Sequence, residues 1–526
     1  MRDVTFCARA MKGKGQRTWP VRRRGWIACA ALLAAGVRCS SAGSASADAR
    51  GGAGGGAIDA GRDIRSADVS PEVSPVGIDN VDGTPCPTTI TCASGLCGAG
   101  GLCLPKYLWS RPLPQGGCAQ SMTASPDGDF VVLGGYTTTQ PATPPMAFIE
   151  KIDPELSVVR WRHTFGWPSG GSLPTPMVLA DGTIVFAVNA EAVTFDTGVR
   201  VSNLSSDIHT ALIEMSSAGS YQWIKTYPTP PFAGGAYQIT IGALAANPGS
   251  GITLAGWFNG TVTFDFDGVA PSMSSSADGT NNVFVAQYDA AGTLGWANTY
   301  PSSNGATLGA DGNTAFLGVA PDRGIYIAGG FDGTGVFGTS AQVAGFETQF
   351  LAHLDAMGSI TAAGSWVTNP ADLPASFALA NDGSFFQTSR GADFRRIAPT
   401  TGQAVWSFPT PGWYLSHLAA STNVIVAGAF DMPTDFGFGS GQALIQPRGS
   451  TSSPDLTTFL AVYDTGGRLL WVREPNVPTN DPVTIGVDGA VYYLNALTLS
   501  LTDFDPGPGI DAMQFNGDCV VTKFAP

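Results

Sequence analysis

Three short acidic loops are the places in this 526-residue chain where side-chain spacing points most directly to chemistry. Asp265-Phe-Asp267-Gly268, Asp431-Met-Pro-Thr-Asp435 and Asp503-Phe-Asp505 each bring carboxylates close together in sequence, as loops that ligate calcium do. Asp265, Asp267, Asp503 and Asp505 are therefore the candidate metal ligands. The further oxygen ligands and closing Glu of an EF-hand are missing, and the loops recur at one position of a repeat. Turn-capping hydrogen bonds explain that recurrence better than a metal does. The four histidines, His163, His209, His353 and His417, show no local metal spacing and no His-Glu-x-x-His. They are expected as ordinary packed or surface residues. No nucleophile elbow, Walker loop or dinucleotide fingerprint occurs in a strand-to-helix context. No catalytic or cofactor-binding residue is assigned, and the chain is not expected to hold a cofactor.

Cysteine chemistry is the stronger signal. Six cysteines follow the first 47 residues: Cys86, Cys92, Cys97, Cys103, Cys118 and Cys519. An even number in an exported chain argues for disulfides. The first four lie within eighteen residues, Cys86–Cys103, and suit a two-disulfide knot whose pairing spacing leaves open. Zinc is the alternative, weakened by the absence of a Cys-x-x-Cys pair. Cys118 and Cys519 remain for each other.

Export is read from the start of the chain. Arg22-Arg23-Arg24 precede an apolar run from Trp26 to Val37, too short to cross a bilayer, and Ala45-Ser-Ala47 fits a small-x-small cleavage site. Residues 1–47 are thus expected as a signal peptide, with initiation at Met1 or Met11. Lipidation at Cys39 is the competing reading, weakened by Arg38 where a lipobox has a small residue. No later segment is apolar and long enough for a transmembrane span. The expected location is secreted or cell-envelope, in the periplasm or on the outer surface. Residues 48–82, rich in Gly, Ala, Ser and Asp, read as a disordered linker, and 83–103 as the Cys-rich segment.

The net charge of −14 conceals an asymmetry. Residues 1–47 carry nine Lys/Arg and one acidic residue, which leaves 18 basic against 40 acidic and a net of −22. Such a surface repels nucleic acid and anionic lipid, so neither is expected as a partner.

The elements that must position these residues repeat seven times between 104 and 526. Each copy has a short turn, usually Asp-Gly, and a strand of the form apolar-x-apolar-(Ala/Gly)-Gly-x-aromatic. A second strand, Phe-(Val/Leu)-Ala-x-(Tyr/Leu)-Asp, follows, then a Gly turn and usually a Trp. The clearest runs Gly251–Phe258, Val283–Asp289 and on to Trp296. Trp161, Trp223, Trp406 and Trp471 hold the same slot, whereas Ala362 occupies it in the copy after Asp355. Self-similarity at this period implies a repeat architecture whose units cannot bury their apolar faces alone. The last copy ends at Cys519–Ala525 without its Trp strand, and the first begins with an orphan Trp strand, Leu104–Trp109. Joining the two closes an all-β, seven-bladed β-propeller with no open seam. A linear solenoid would leave both half-blades unpaired. A Cys118–Cys519 bridge would tie the ring shut.

Ala328-Gly-Gly-Phe-Asp-Gly-Thr-Gly-Val-Phe-Gly338, Ala255–Phe264 and Phe504-Asp-Pro-Gly-Pro-Gly509 resemble the repeats of secreted bacterial β-propellers of the SBBP type. That resemblance implies the fold and little about function. Ala398-Pro-Thr-Thr-Gly-Gln-Ala-Val-Trp406 is similar to the Trp-docking repeat of quinoprotein-type propellers and of the outer-membrane assembly propeller. The adjacent cysteine pair of quinoprotein dehydrogenases is missing. The expected role is a non-enzymatic binding or scaffold protein, with a protein or glycan ligand over the central channel. The alternatives are a hydrolase or lyase whose carboxylates meet at the channel mouth, and an outer-membrane assembly scaffold.

Overall fold

In the computed structural model the chain divides into two units, 1–74 and 75–526. The described residues are the backbone of Thr84–Pro85 and Leu96–Cys97 and most of 107–525. The gaps there fall in connections, chiefly 136–145, 167–172, 203–208, 228–237, 302–315 (except 306–307), 368–373, 448–456, 474–482 and 496–518 (except 502–503 and 512–513). The expected signal peptide, linker, Cys39 and the sulfurs of Cys86, Cys92, Cys97 and Cys103 lie outside them.

Seven antiparallel sheets make the blades, numbered here in chain order with strands a (innermost) to d (outermost). Blade 1 is Cys118–Ala124, Phe130–Gly135, Met146–Ile152 and Val159–Gly166. Blade 2 is Met177–Val178, Ile184–Ala190, His209–Met215 and Tyr221–Thr226. Blade 3 is Gln238–Asn247, Gly251–Asn259, Asn282–Tyr288 and Leu294–Tyr300. Blade 4 is Phe316–Val319, Ile325–Phe337, Ala341–Leu354 and Ile360–Val367. Blade 5 is Pro374–Leu379, Phe385–Ser389, Asp393–Ile397 and Ala404–Pro409. Blade 6 is Trp413–Ala420, Asn423–Phe430, Thr457–Asp464 and Leu469–Arg473.

Blade 7 joins the two ends of the propeller. Its a, b and c strands are Val483–Ile485, Val491–Asn495 and Val520–Phe524, and its d strand is Tyr107–Pro112, paired from Tyr107↔Phe524 to Pro112↔Val520. The inner strands touch in a continuous circuit, blade 7 meeting blade 1. The ring is closed and the solenoid is excluded.

Strands b and c are apolar on both faces because each sheet is packed between two others. Phe130–Leu133 and Val283–Ala286 are fully buried. The hydrophobic core consequently divides into seven clusters, one at each blade junction. At the closing junction Phe130, Val132, Phe148 and Ile152 of blade 1 meet Tyr492, Leu494 and Val521 of blade 7. Cys118 and Cys519 are bonded there as a disulfide across 401 residues of sequence.

Tight turns join a to b and c to d. In the a–b turn of blade 1, Gly128 N–H donates to Ser125 O, and Ser125 N–H to Asp129 O. This is a type I turn followed by a left-handed residue, Gly128 at φ 93°. Blades 2, 4, 5 and 7 repeat it through Gly182, Arg323, Gly383 and Gly489. Antiparallel pairing places the a–b and c–d turns at one face of the wheel and the b–c connections at the other.

Candidate functional site

Three surfaces of the wheel offer themselves as a site: the channel wall, the turn face and the face carrying the b–c connections.

The inner strands contain no Asp, Glu, Lys or Arg, and His417 is their sole histidine. Small residues dominate, as in Ala243, Ala245 and Ala246 of blade 3 and Ala419 and Ala420 of blade 6. The strands of this wall supply no carboxylate pair for acid–base work.

Ionisable groups gather instead on the turn face, where they are engaged by the fold. The a–b turn aspartates Asp181, Asp322, Asp382 and Asp488 each accept the backbone N–H two residues on, at 2.9–3.0 Å, and Asp127 does so at 3.3 Å. The c–d turn aspartates Asp153, Asp289, Asp355 and Asp464 accept N–H groups four residues on. The Thr183 N–H bond holds Asp181 below the usual carboxylate range. Burial works to raise Asp127, but its bonds to Lys151 and Ser125 bring it below that range.

The d-strand tryptophans dock across blade junctions on this face. Trp161 Nε1–H donates to Ser217 O of blade 2 at 3.0 Å, Trp223 to Ala290 O of blade 3 at 3.3 Å, and Trp296 to Ala356 O of blade 4 at 3.2 Å. Trp109 belongs to the closing junction, where Lys523 Nζ reaches Glu155 at 3.0 Å and Asp488 at 3.5 Å. The Lys523 side chain is 7% exposed. Burial disfavours its charge, yet bonds to Tyr492 and Glu155 raise its pKa. In blade 1 the buried pair Arg162–Glu150, at 3.1 Å, is completed by Arg162 Nη2–H donating to Gly116 O at 2.9 Å. Burial holds the Glu150 carboxyl above its ordinary range, against the pull of Arg162.

The opposite face carries b–c connections of unequal length, from residues 390–392 in blade 5 to 431–456 in blade 6. In blade 4, strands b and c simply run on, pairing from Gly333↔Gly345 to Phe337↔Ala341. Blades 3, 6 and 7 carry separate two-stranded arms. The blade 2 arm, Ala192–Phe195 with Arg200–Ser202, crosses to strand d of blade 1 and pairs Phe195↔Phe165. There His163 Nδ1 lies 2.7 Å from Asp196 of the arm, and its Nε2 bonds Gly219 O at 2.8 Å. Sequence reasoning missed this crossing.

The arms explain the Phe-Asp-Phe and Phe-Gly-Phe loops. Phe264 and Phe266 fold back between blades 2 and 3, Phe264 4.8 Å from the Phe284 ring and Phe266 stacked 4.9 Å from Tyr227. Tyr288 OH donates to Phe264 O at 2.7 Å. Blade 6 repeats the device: Phe436 packs on Phe459, Phe438 stacks on Phe408 at 4.0 Å, and Tyr463 OH donates to Phe436 O.

The candidate metal ligands take up their places in this scheme. Asp265 accepts the Asp267 N–H at 3.1 Å, and Asp435 accepts the Gly437 N–H at 2.9 Å, so both serve as turn caps. Asp503 is described by its backbone, paired with Ala512, and Asp505 lies outside the described residues. Among the described residues no three His, Cys, Asp or Glu side chains are grouped to hold a metal ion. His163 and His353 are packed, His353 4.5 Å from the Tyr326 ring; His417 is on the inner wall, and the His209 side chain is not described. No described helix is long and apolar enough to cross a membrane.

No protein-family model and no curated protein matches the chain, so the likeness to SBBP-type repeats rests on the residues quoted for it. Solved structures do match. The quinohemoprotein alcohol dehydrogenase from Comamonas testosteroni is 11% identical with a TM-score of 0.39, over 80% of this chain and 76% of that one. BamB from Moraxella catarrhalis is 11% identical with a TM-score of 0.36, over 80% and 100%. The Pan2 WD40 domain of Neurospora crassa is 10% identical with a TM-score of 0.42, over 80% and 95%. This chain is a seven-bladed β-propeller, and its likeness to all three is one of fold alone.

Proposed function

We propose that this chain is an exported binding or scaffold protein of the cell surface, periplasm or extracellular space, and that its b–c arms contact a protein or glycan ligand. One observation carries the reading: a uniform closed frame supports connections of unequal length and sequence on a single face, while the inner strands carry no Asp, Glu, Lys or Arg. Recognition proteins vary loops on a rigid frame in this manner. A hydrolase or lyase would need carboxylates free to meet a substrate, and the described turn aspartates are occupied by their own backbone. An outer-membrane assembly scaffold remains a variant of the same reading and calls for membrane retention, with lipidation at Cys39.

The test pairs a glycan array and a panel of purified envelope proteins with one variant, in which residues 446–456 of the blade 6 connection are replaced by a Gly-Ser linker of equal length, leaving Phe436 and Phe438 in place. Saturable binding by the parent that the folded variant loses is the expected result, and the N-terminal mass should place cleavage after Ala47. Retention of binding by the variant, or turnover of a glycan by the parent, overturns the proposal.

A further inference from the structure

One position repeats in every blade: the c-strand residue opposite the Trp slot of strand d, facing the next blade. Where the a–b turn carries Asp127, Asp322, Asp382 or Asp488, this residue is Lys151, His353, Arg396 or Lys523. The lysines pair with Asp127 and Asp488 directly, and Arg396 and His353 interact electrostatically with Asp382 and Asp322. Blades 3 and 6 lack the turn Asp, and there the residue is neutral, Gln287 or Val462. In blades 1, 5 and 7 a Lys or Arg thus accompanies the turn aspartate, while in blade 4 burial works against charge on His353.

Blade 2 is the blade that sets an acid there: its turn has Asp181, and the residue opposite Trp223 is Glu214. Glu214 is 7% exposed and its Oε2 is buried without a hydrogen-bond partner. Trp223 bonds the carboxyl and also donates to Ala290 O. Lys225 is the cation at hand, but its Nζ donates to Ala291 O at 2.9 Å and Gly292 O at 3.0 Å. Asp181 from the a–b turn and Asp289 from the blade 3 turn both oppose charge on Glu214.

We propose that the blade 2–blade 3 junction is a proton-operated seam, in which uptake of a proton by Glu214 neutralises an acid at the position where blades 1, 5 and 7 place a Lys or Arg. The proton removes the repulsion from Asp181 and Asp289 and the cost of a charged, buried oxygen that no donor meets. Burial first, then Asp181, pushes the Glu214 carboxyl up to about 7. Because that lies above the unfolded value, the contribution is complete below about pH 4.5 and is lost as pH rises through about 7. Between those limits each pH unit shifts the opening equilibrium of the junction by up to about tenfold.

The experiment measures thermal unfolding from about pH 5 to about pH 8 for the parent and for Glu214→Gln, the residue blade 3 already uses beside Trp296. The expected result is a steeper fall in Tm for the parent, with the variant ahead at the alkaline end; Glu150 contributes equally to both. Parallel profiles overturn the proposal. A second measurement needs no variant: amide exchange of the parent, corrected for intrinsic rates, should show Glu214–Trp223 and Ala290–Thr293 losing protection between pH 5 and pH 7 (about a hundredfold at most) and then levelling. Equal protection throughout also overturns it.

Discussion

A methyl group added at Gly219 would sit 2.7 Å from the indole of Trp161, on a residue whose φ is 86°. Gly358 stands in the same relation to Trp296, and Gly467 to Trp406 at 3.0 Å. At these three junctions the Trp and the Gly are therefore one device shared by successive blades: the indole of one lies on the bare backbone of the next. Gly219→Ala should cost about 2–4 kcal/mol, combining left-handed strain with displacement of the ring. Gly383→Ala is the control, since its φ is 80° but nothing lies within 4 Å of the added carbon. It should cost only about 1 kcal/mol, and denaturant midpoints of the two folded variants measure the difference. The recurrence of Trp and Asp-Gly was legible in sequence, as was turn capping by Asp265 and Asp435 of two acidic loops. The partners were not: Trp161 meets a residue 56 positions away on the next blade, and Lys523 one 368 positions away across the closing junction.

At the scale of elements, strands b and c were legible because burial between sheets demands apolar, β-branched and aromatic runs. The expected Gly251–Phe258 and Val283–Asp289 match Gly251–Asn259 and Asn282–Tyr288 within a residue. The inner strands were not, since Met177–Val178 is two residues long and Gln238–Asn247 is largely small residues. Nor were the arms, whose placement depends on tertiary contact. Their Phe residues are wedges holding the arm to its junction. Phe436→Ala should therefore cost about 3–5 kcal/mol, and Tyr463→Phe, which removes one buried bond to Phe436 O, about 1 kcal/mol. Thermal unfolding ranks them. Equal effects would mean that the Phe436 ring contributes no more than the hydroxyl.

At the scale of the molecule, counting copies was enough to foresee the wheel, because only a closed ring completes both half-blades. The Cys118–Cys519 bond adds a covalent tie to the hydrogen-bonded one. In the chain-entropy view a bridge across 401 residues contributes at most about 6 kcal/mol. The noncovalent tie is itself substantial: Ser110 Oγ and Thr522 Oγ1 are 2.8 Å apart across the pair, and Tyr492 OH donates to Pro154 O of blade 1 at 3.2 Å. The proposed binding role rests on this closure, since arms on an open chain would present no common face.

Amide exchange on the oxidised protein tests closure most directly. Tyr107–Arg111 and Val520–Phe524 should be protected as strongly as Val491–Asn495, and reduction of the disulfide should weaken both terminal strands together. Rapid exchange of Tyr107–Arg111 while Val520–Phe524 stays protected would contradict the account, because the two ends would then not share a blade.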